Sequence, residues 1–202
     1  MARMTPDQRR EAIIAATREL IGRQGIAATT VRDVATELGT SSGLIHHYFD
    51  SMDDLLAEAF DRAATDDLRA SQTVIAGGAD PVQRLARFFD VFVRSADDSM
   101  QVWLDAWAEA ARRPALQRTS RRVNQEWQVL LYGLIVSGCE AGVMTCPDPL
   151  ASSWRILSLV DGLAVQTAAH SGIVTRNQAD IWSRQSAEVE VGLPLGSLTS
   201  HA

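Results

Sequence analysis

Helix-start signals recur along this 202-residue chain and constrain its fold more than any other feature. They are Thr5-Pro6-Asp7-Gln8, Thr30-Val31-Arg32-Asp33, Asp80-Pro81-Val82-Gln83, Asp148-Pro149 and Thr175-Arg176-Asn177-Gln178. Each pairs a side-chain oxygen able to cap free amides with a helix-compatible proline, or with a polar residue three positions on. Gly25, Gly39, Gly77-Gly78 and Gly142 supply the stops, since glycine tolerates the left-handed backbone that ends a helix. Between these marks the apolar residues recur every three or four positions. Ile13, Ile14, Thr17, Leu20 and Ile21 form one stripe, and Leu55, Leu56, Ala59, Phe60 and Ala63 another. No stretch alternates with the period of a strand and no segment repeats, so the pattern predicts an all-α chain of about nine helices.

The spacing divides the chain into a three-helix N-terminal domain over residues 1–51, a helical bundle over 52–191 and a Gly-, Pro- and Ser-rich tail over 192–202, expected to be frayed. Three helices in fifty residues make a small core. The fourth helix, expected from Met52 to about Val74, should therefore pack on the trio and also enter the bundle.

The formal charge of −6 argues against a nucleic-acid partner until its distribution is considered. Every cation is an arginine; residues 1–50 hold six of them against six acids, so the acidity resides in the remainder. No run of apolar residues is long enough for a membrane span or an export signal, which makes the cytoplasm the expected location. Cys139 and Cys146 have no histidine at metal-ligand spacing. No metal, cofactor or catalytic group is called for.

The second and third helices have helix-turn-helix spacing: a short helix opening at Thr30, Gly39 to reverse the chain, and a short helix capped by Ser41. In such a unit the second helix enters the major groove by its N-terminal end. Thr30, Val31 and Arg32 suit a backbone phosphate. Ser41 and Ser42 can read a base edge or a phosphate, Gly43 permits close approach, and Leu44 can touch a thymine methyl. His46, His47 and Tyr48 follow one turn on, while Arg3, Arg9 and Arg10 flank the first helix within reach of the duplex backbone. Phe49 is expected in the core.

The string Gly25-x4-Thr30-Val31-Arg32-Asp33-Val34-Ala35-x2-Leu38-Gly39-x-Ser41-x-Gly43-Leu44-Ile45-x-His47-Tyr48-Phe49-x-Ser51-x2-Asp54-Leu55-Leu56 resembles the DNA-binding domain of the TetR family of one-component regulators. The run Gly43 to Phe49 looks most like its BetI-type branch. Met100-x2-Trp103-x-Asp105-Ala106-Trp107-Ala108-Glu109-Ala110 and Leu157-x-Leu159-Val160-Asp161-Gly162-Leu163 are similar to that branch's C-terminal region. The resemblance implies a homodimeric repressor on a palindromic operator of double-stranded DNA, released by a small-molecule effector, with the last two helices forming the dimer interface. It also places His47 and Tyr48 at positions that usually contact phosphates or neighbouring bases. Met52 departs from the pattern, since many relatives carry a lysine after the serine.

Five tryptophans against two tyrosines suggest a cation–π pocket, and a cationic amine is the ligand that such faces suit. Trp103, Trp107, Trp127 and Asp161 are the candidate effector residues, Asp161 sharing a helical face with Trp154, Leu157 and Val165. The alternative is tryptophans as core, with Asp161 bonded to an arginine or a capped helix end. The rival to DNA binding is a helical ligand carrier or enzyme with no DNA role, against which stands the absence of any nucleophile–base set or phosphate loop. So few cations near the motif predict a shallow salt dependence of DNA affinity.

Overall fold

The computed structural model describes residues 4–94, 98–170 and 172–199. Among the described residues there are nine helices and no strand: α1 (Pro6–Gln24), α2 (Val31–Glu37), α3 (Ser42–Tyr48), α4 (Met52–Ala76), α5 (Pro81–Arg94), α6 (Asp98–Ala110), α7 (Pro114–Glu140), α8 (Pro149–Ala169) and α9 (Arg176–Glu190).

The caps act as their chemistry requires. Thr5 and Gln8 form a reciprocal capping box at α1, Thr30 and Asp33 at α2, and Thr175 and Gln178 at α9. The Asp148 carboxylate accepts the Ala151 amide at 3.0 Å to open α8. Ser51 starts α4 by accepting the Asp54 amide at 3.1 Å. Ser41 differs from expectation: it occupies the N-cap of α3, yet its side chain makes no capping hydrogen bond.

The chain packs as two compact units. One holds residues 1–66 together with 101–123; the other holds 67–100 together with 124–202. Helices α4, α6 and α7 each contribute to both. The sequence pattern anticipated this for α4 alone.

In the first unit, Ile13, Ile14, Ile26, Val34, Ile45, Leu55, Leu56, Phe60 and Leu116 are buried to within a few per cent. Ion pairs run along α1 and α4: Arg10 with Glu58, Arg18 with Asp66 at 2.9 Å, and Arg62 with Glu11 at 2.8 Å. Arg113, immediately before α7, pairs with Asp53 of α4, and Arg122 of α7 pairs with Asp61. The two pairs step along both helices in the same direction, so α4 and the first turns of α7 run side by side.

The second unit is centred on Phe88, Phe89, Leu131, Ile135, Leu157 and Val160. Its tightest polar cluster surrounds Arg184 of α9, which is 5% exposed. The guanidinium donates to the carbonyls of Ala86 at 3.1 Å and Leu198 at 2.7 Å, and to the carboxylates of Asp90 at 2.7 Å and Asp180 at 2.6 Å. It also lies over the Phe89 ring, 5.6 Å from the centroid.

The expectation of a frayed tail fails over residues 192–199. Glu188 accepts the amides of Gly196 at 3.0 Å and Leu198 at 2.7 Å, and Leu198 is fully buried. A sparse, turn-rich composition is therefore docked by two charged side chains of α9. Residues 200–202 lie outside the described residues.

Replacing Arg184 leaves Asp90, Asp180 and two carbonyls without their donor. Arg184→Met is expected to cost about 3–5 kcal/mol in chemical denaturation, the typical penalty for removing one partner of a buried ion pair.

Candidate nucleic-acid interface and ligand residues

Helix α3 has seven residues, too few to be stable alone. Ile45, 1% exposed, and Phe49, 5% exposed, insert into the first unit's core and fix the helix's rotation. At 3.6 residues per turn this seating turns Ser42, Gly43, His46 and His47 outward, and all four are exposed, as is Ser41. Leu44 and Tyr48 are half-buried at the edges of this face, with the Tyr48 ring edge-to-face on His47 at 5.2 Å. The presented surface is small and polar at the N-terminal end of α3, aromatic at its C-terminal end, and free of acidic side chains from Ser41 to Tyr48.

At α2, Thr30 and Arg32 are exposed and Val31 is half-buried. The Thr30 hydroxyl donates to Asp33 at 2.6 Å, and the same carboxylate accepts the Thr30 amide at 2.9 Å. These bonds lower the Asp33 pKa below its usual value. The donors at this helix end that the capping box leaves unused are the Val31 and Arg32 amides.

Arg10 is not presented to a duplex. Its guanidinium makes a two-pronged pair with Glu58 and lies over the Phe49 ring, 4.8 Å from the centroid. It braces the floor beneath α3. Arg3 lies outside the described residues.

One contact in the first unit gave no local signal. Gly25 closes α1 at φ 83° and ψ 163°, a conformation essentially restricted to glycine. The Asp105 carboxylate of α6 approaches so closely that a Cβ on Gly25 would lie 2.7 Å from Oδ2. That oxygen accepts the Ile26 amide at 3.4 Å, and Oδ1 accepts Gln101 Nε2 at 3.0 Å.

The candidate effector residues divide between the units. Trp103 and Trp107 belong to the first, with ring centroids 5.7 Å apart; Trp103 also meets Phe60 edge-on at 5.1 Å. Trp127 and Asp161 belong to the second, where Trp127 packs edge-on against Phe88 at 6.2 Å. Trp103 and Trp127 are buried, and Trp107 is half-buried.

Asp161 is half-buried, and no hydrogen bond or ion pair to another described residue meets its carboxyl group. The alternative of a bonded arginine or helix end is not realised among the described residues. Burial alone pushes its pKa up to about 7. Every fully buried side-chain nitrogen or oxygen among the described residues has a partner, so the unpartnered Asp161 oxygens are not fully buried.

Helices α8 and α9 also leave large apolar side chains outside: Leu150, Trp154, Ile181, Trp182 and Val189, continued by Leu195. Between the two helices runs an open groove of about 610 Å³, lined by Ile156, Leu159, Trp182, Val189 and Leu195, with Arg155 and Glu190 paired at 2.6 Å on its rim.

Residues 13–59 match the family described as bacterial regulatory proteins of the tetR family, and residues 81–190 match the BetI-type transcriptional repressor C-terminal family. The chain is 32% identical over 205 residues to the HTH-type transcriptional regulator BetI 1 of Chromohalobacter salexigens, covering 98% of this chain and 96% of that one. It is 32% identical over 168 residues to HTH-type transcriptional regulator BetI of Stenotrophomonas maltophilia, covering 77% and 79%. A crystal structure of a Saccharomonospora viridis protein in complex with choline superposes with a TM-score of 0.81 at 25% identity, covering 92% of this chain and 98% of that one.

The Asp161 shift has a definite sign. Its folded pKa of about 7 lies above the ordinary carboxylate value of 3.8, so between those two points the folded state holds a proton that the unfolded chain has released. Stability therefore falls as pH rises through this window and levels off above it. Asp161→Asn removes the titration. It is expected to raise the thermal midpoint at pH 8 relative to the parent, with the gain shrinking steadily toward pH 4; a gain independent of pH would exclude this cause.

Proposed function

The chain belongs to the TetR family of bacterial regulatory proteins, with a BetI-type C-terminal region, and we propose that it is a homodimeric cytoplasmic repressor released from its operator by a cationic amine. On this reading residues 1–51 act as the DNA-binding domain and 52–191 as the effector-binding and dimerisation domain, and the protein is not an enzyme. The observation that carries it is the seating of α3. Ile45 and Phe49 are anchored, while Ser41, Ser42, Gly43, His46 and His47 are exposed.

In this assignment Ser41, Ser42 and Leu44 meet base edges and Gly43 allows the backbone close. Tyr48, His47 and the α2 residues Thr30, Val31 and Arg32 hold phosphates, with His46 at the edge of the contact. Two copies must present α3 about 34–36 Å apart to meet successive major grooves. The apolar faces of α8 and α9 suit a two-fold interface, where the same surface serves both partners. Helix α4 runs without a break from the helix-turn-helix region into the second unit. A ligand that tilts it changes the spacing of the two α3 helices. Release then requires only that the effector bind the wrongly spaced state more tightly, by several kcal/mol for a complete switch.

The choline-bound relative supports an amine as effector. So does the chemistry of the candidates: tryptophan faces attract quaternary ammonium groups, and an unpartnered carboxylate supplies the counter-charge. Trp103, Trp107, Trp127 and Asp161 are assigned to this role. Because the carboxylate must ionise to attract a cation, amine affinity is expected to rise through about pH 7.

A gel shift with the DNA flanking the protein's own gene tests the reading. Tyr48→Ala with His47→Ala is expected to abolish binding while the dimer stays folded by sedimentation; unchanged affinity excludes these assignments. Titration of choline-like amines by calorimetry is expected to show Asp161→Ala losing tenfold or more in affinity. No binding of any amine by the parent protein would remove that class of effector.

A further inference from the structure

Residues 111–125 contain five arginines, Arg112, Arg113, Arg118, Arg121 and Arg122, and no acid. In a chain of net charge −6 this is the largest local excess of positive charge. Two of the five are neutralised internally. Arg113 bonds Glu109 at 2.9 Å and also Asp53, and Arg122 bonds Asp61. These contacts engage Asp53, Asp61 and one oxygen of Glu109. Arg112 is left with a long 3.6 Å approach to a Glu109 already held by Arg113, and its side chain is 77% exposed. Arg118 and Arg121 are exposed, and neither has a hydrogen bond or ion pair with a described residue.

The position of this row gives it a partner. Asp53, the anchor of Arg113, is five residues beyond Tyr48, the last residue of α3. Five residues of chain span at most about 18 Å, so the corner between α6 and α7 is held within that distance of the end of α3, plus one arginine side chain. Arg118 and Arg121 lie about 6 and 10 Å along the helix rise from Pro114, the first residue of α7. The first turn of α4, from Met52 to Leu55, carries no cation of its own. A cation source lies beside that same first turn, on a segment 59 or more positions away in the chain.

We infer that Arg112, Arg118 and Arg121 form a second phosphate-binding surface outside the helix-turn-helix, which engages the duplex backbone flanking each half-site. The inference rests on the DNA-binding reading above and extends it to Arg112, just before α7, and to Arg118 and Arg121 within it. Guanidinium groups are suited to phosphate oxygens, with forked donors and a permanent charge. Contacts of this kind fix register and add affinity without reading sequence. The three contributions are graded: Arg112, beside the first turn of α4, contributes most, and Arg121, farthest along α7, contributes least.

The test measures binding of the full-length protein to a fluorescent duplex from the DNA flanking its own gene, over a salt series. Arg112→Gln, Arg118→Gln, Arg121→Gln and the triple variant are compared with the parent, with circular dichroism confirming the fold. Each phosphate contact contributes about 0.9 to the slope of log affinity against log salt. The triple variant is expected to lose about two to three from that slope and to weaken about tenfold or more at 100 mM salt. Its ratio of affinities for operator and scrambled duplex should not change. The Arg→Lys triple should keep most of the slope. A triple Gln variant with the parent's slope and affinity overturns the inference while leaving the DNA-binding reading intact. A parent protein that is folded and dimeric but binds no duplex overturns both.

Discussion

The seating of α3 is the constraint on which the rest depends. A seven-residue helix has no stability of its own to spare, so its direction and rotation come entirely from what it is pinned to. Ile45 and Phe49 provide the pins. Since each residue advances about 100° around the helix axis, a slip of one position would turn the serine face inward and bury His46 or His47 unsatisfied. Arg10 reinforces the seating from below by stacking on Phe49 while Glu58 holds its guanidinium. A cation that a charge count would assign to DNA is thus used to hold α3 in place. Counting arginines near a helix-turn-helix overstates its phosphate contacts for this reason.

Local chemistry was legible in the sequence; long-range pairing was not. The capping boxes at Thr5, Thr30 and Thr175 need only residues three apart, and they formed as the sequence indicates. Phe49 was readable as core because it closes the apolar pattern of its own short helix. The outward face of α3 follows from the same period. The tail was misread because the groups that dock it, Arg184 and Glu188, lie 14 and 10 positions upstream of Leu198 and look like ordinary exposed charges on an amphipathic helix. Ser41 was misread in a smaller way: residue type predicts a cap, whereas its hydroxyl is left unengaged at the surface.

The grouping of α6 and the start of α7 with the helix-turn-helix was the largest feature with no sequence signal. It depends on Asp105 meeting the turn at Gly25 and Ile26, and on Arg113 and Arg122 meeting α4. Gly25 then carries two constraints together. Its backbone conformation excludes a side chain on steric grounds, and the Asp105 oxygen fills the space that a Cβ would occupy. The same turn is tied to α2 by Thr29, whose hydroxyl donates to the Gly25 carbonyl at 2.7 Å, one residue before the α2 cap. Asp105 is thus linked to the α2 N-terminus through two hydrogen bonds and a close contact. Helix α6 also carries Trp103 and Trp107, so one rigid element bears both the candidate ligand residues and the contact that sets this turn.

Asp161 is best understood by comparison with the other carboxylates of its unit. Asp90 and Asp180 are shielded and meet Arg184; Glu188 is buried and meets two backbone amides. Each has partners sufficient to offset loss of water. Asp161 has none among the described residues, and burial alone accounts for its raised pKa. Asparagine or leucine at that point in α8 would avoid the desolvation cost. The stability argument therefore runs against a carboxylate here. Binding of a ligand bearing positive charge would restore the missing partner, return the carboxylate to its ionised form, and convert a local instability into affinity that only a cation can gain.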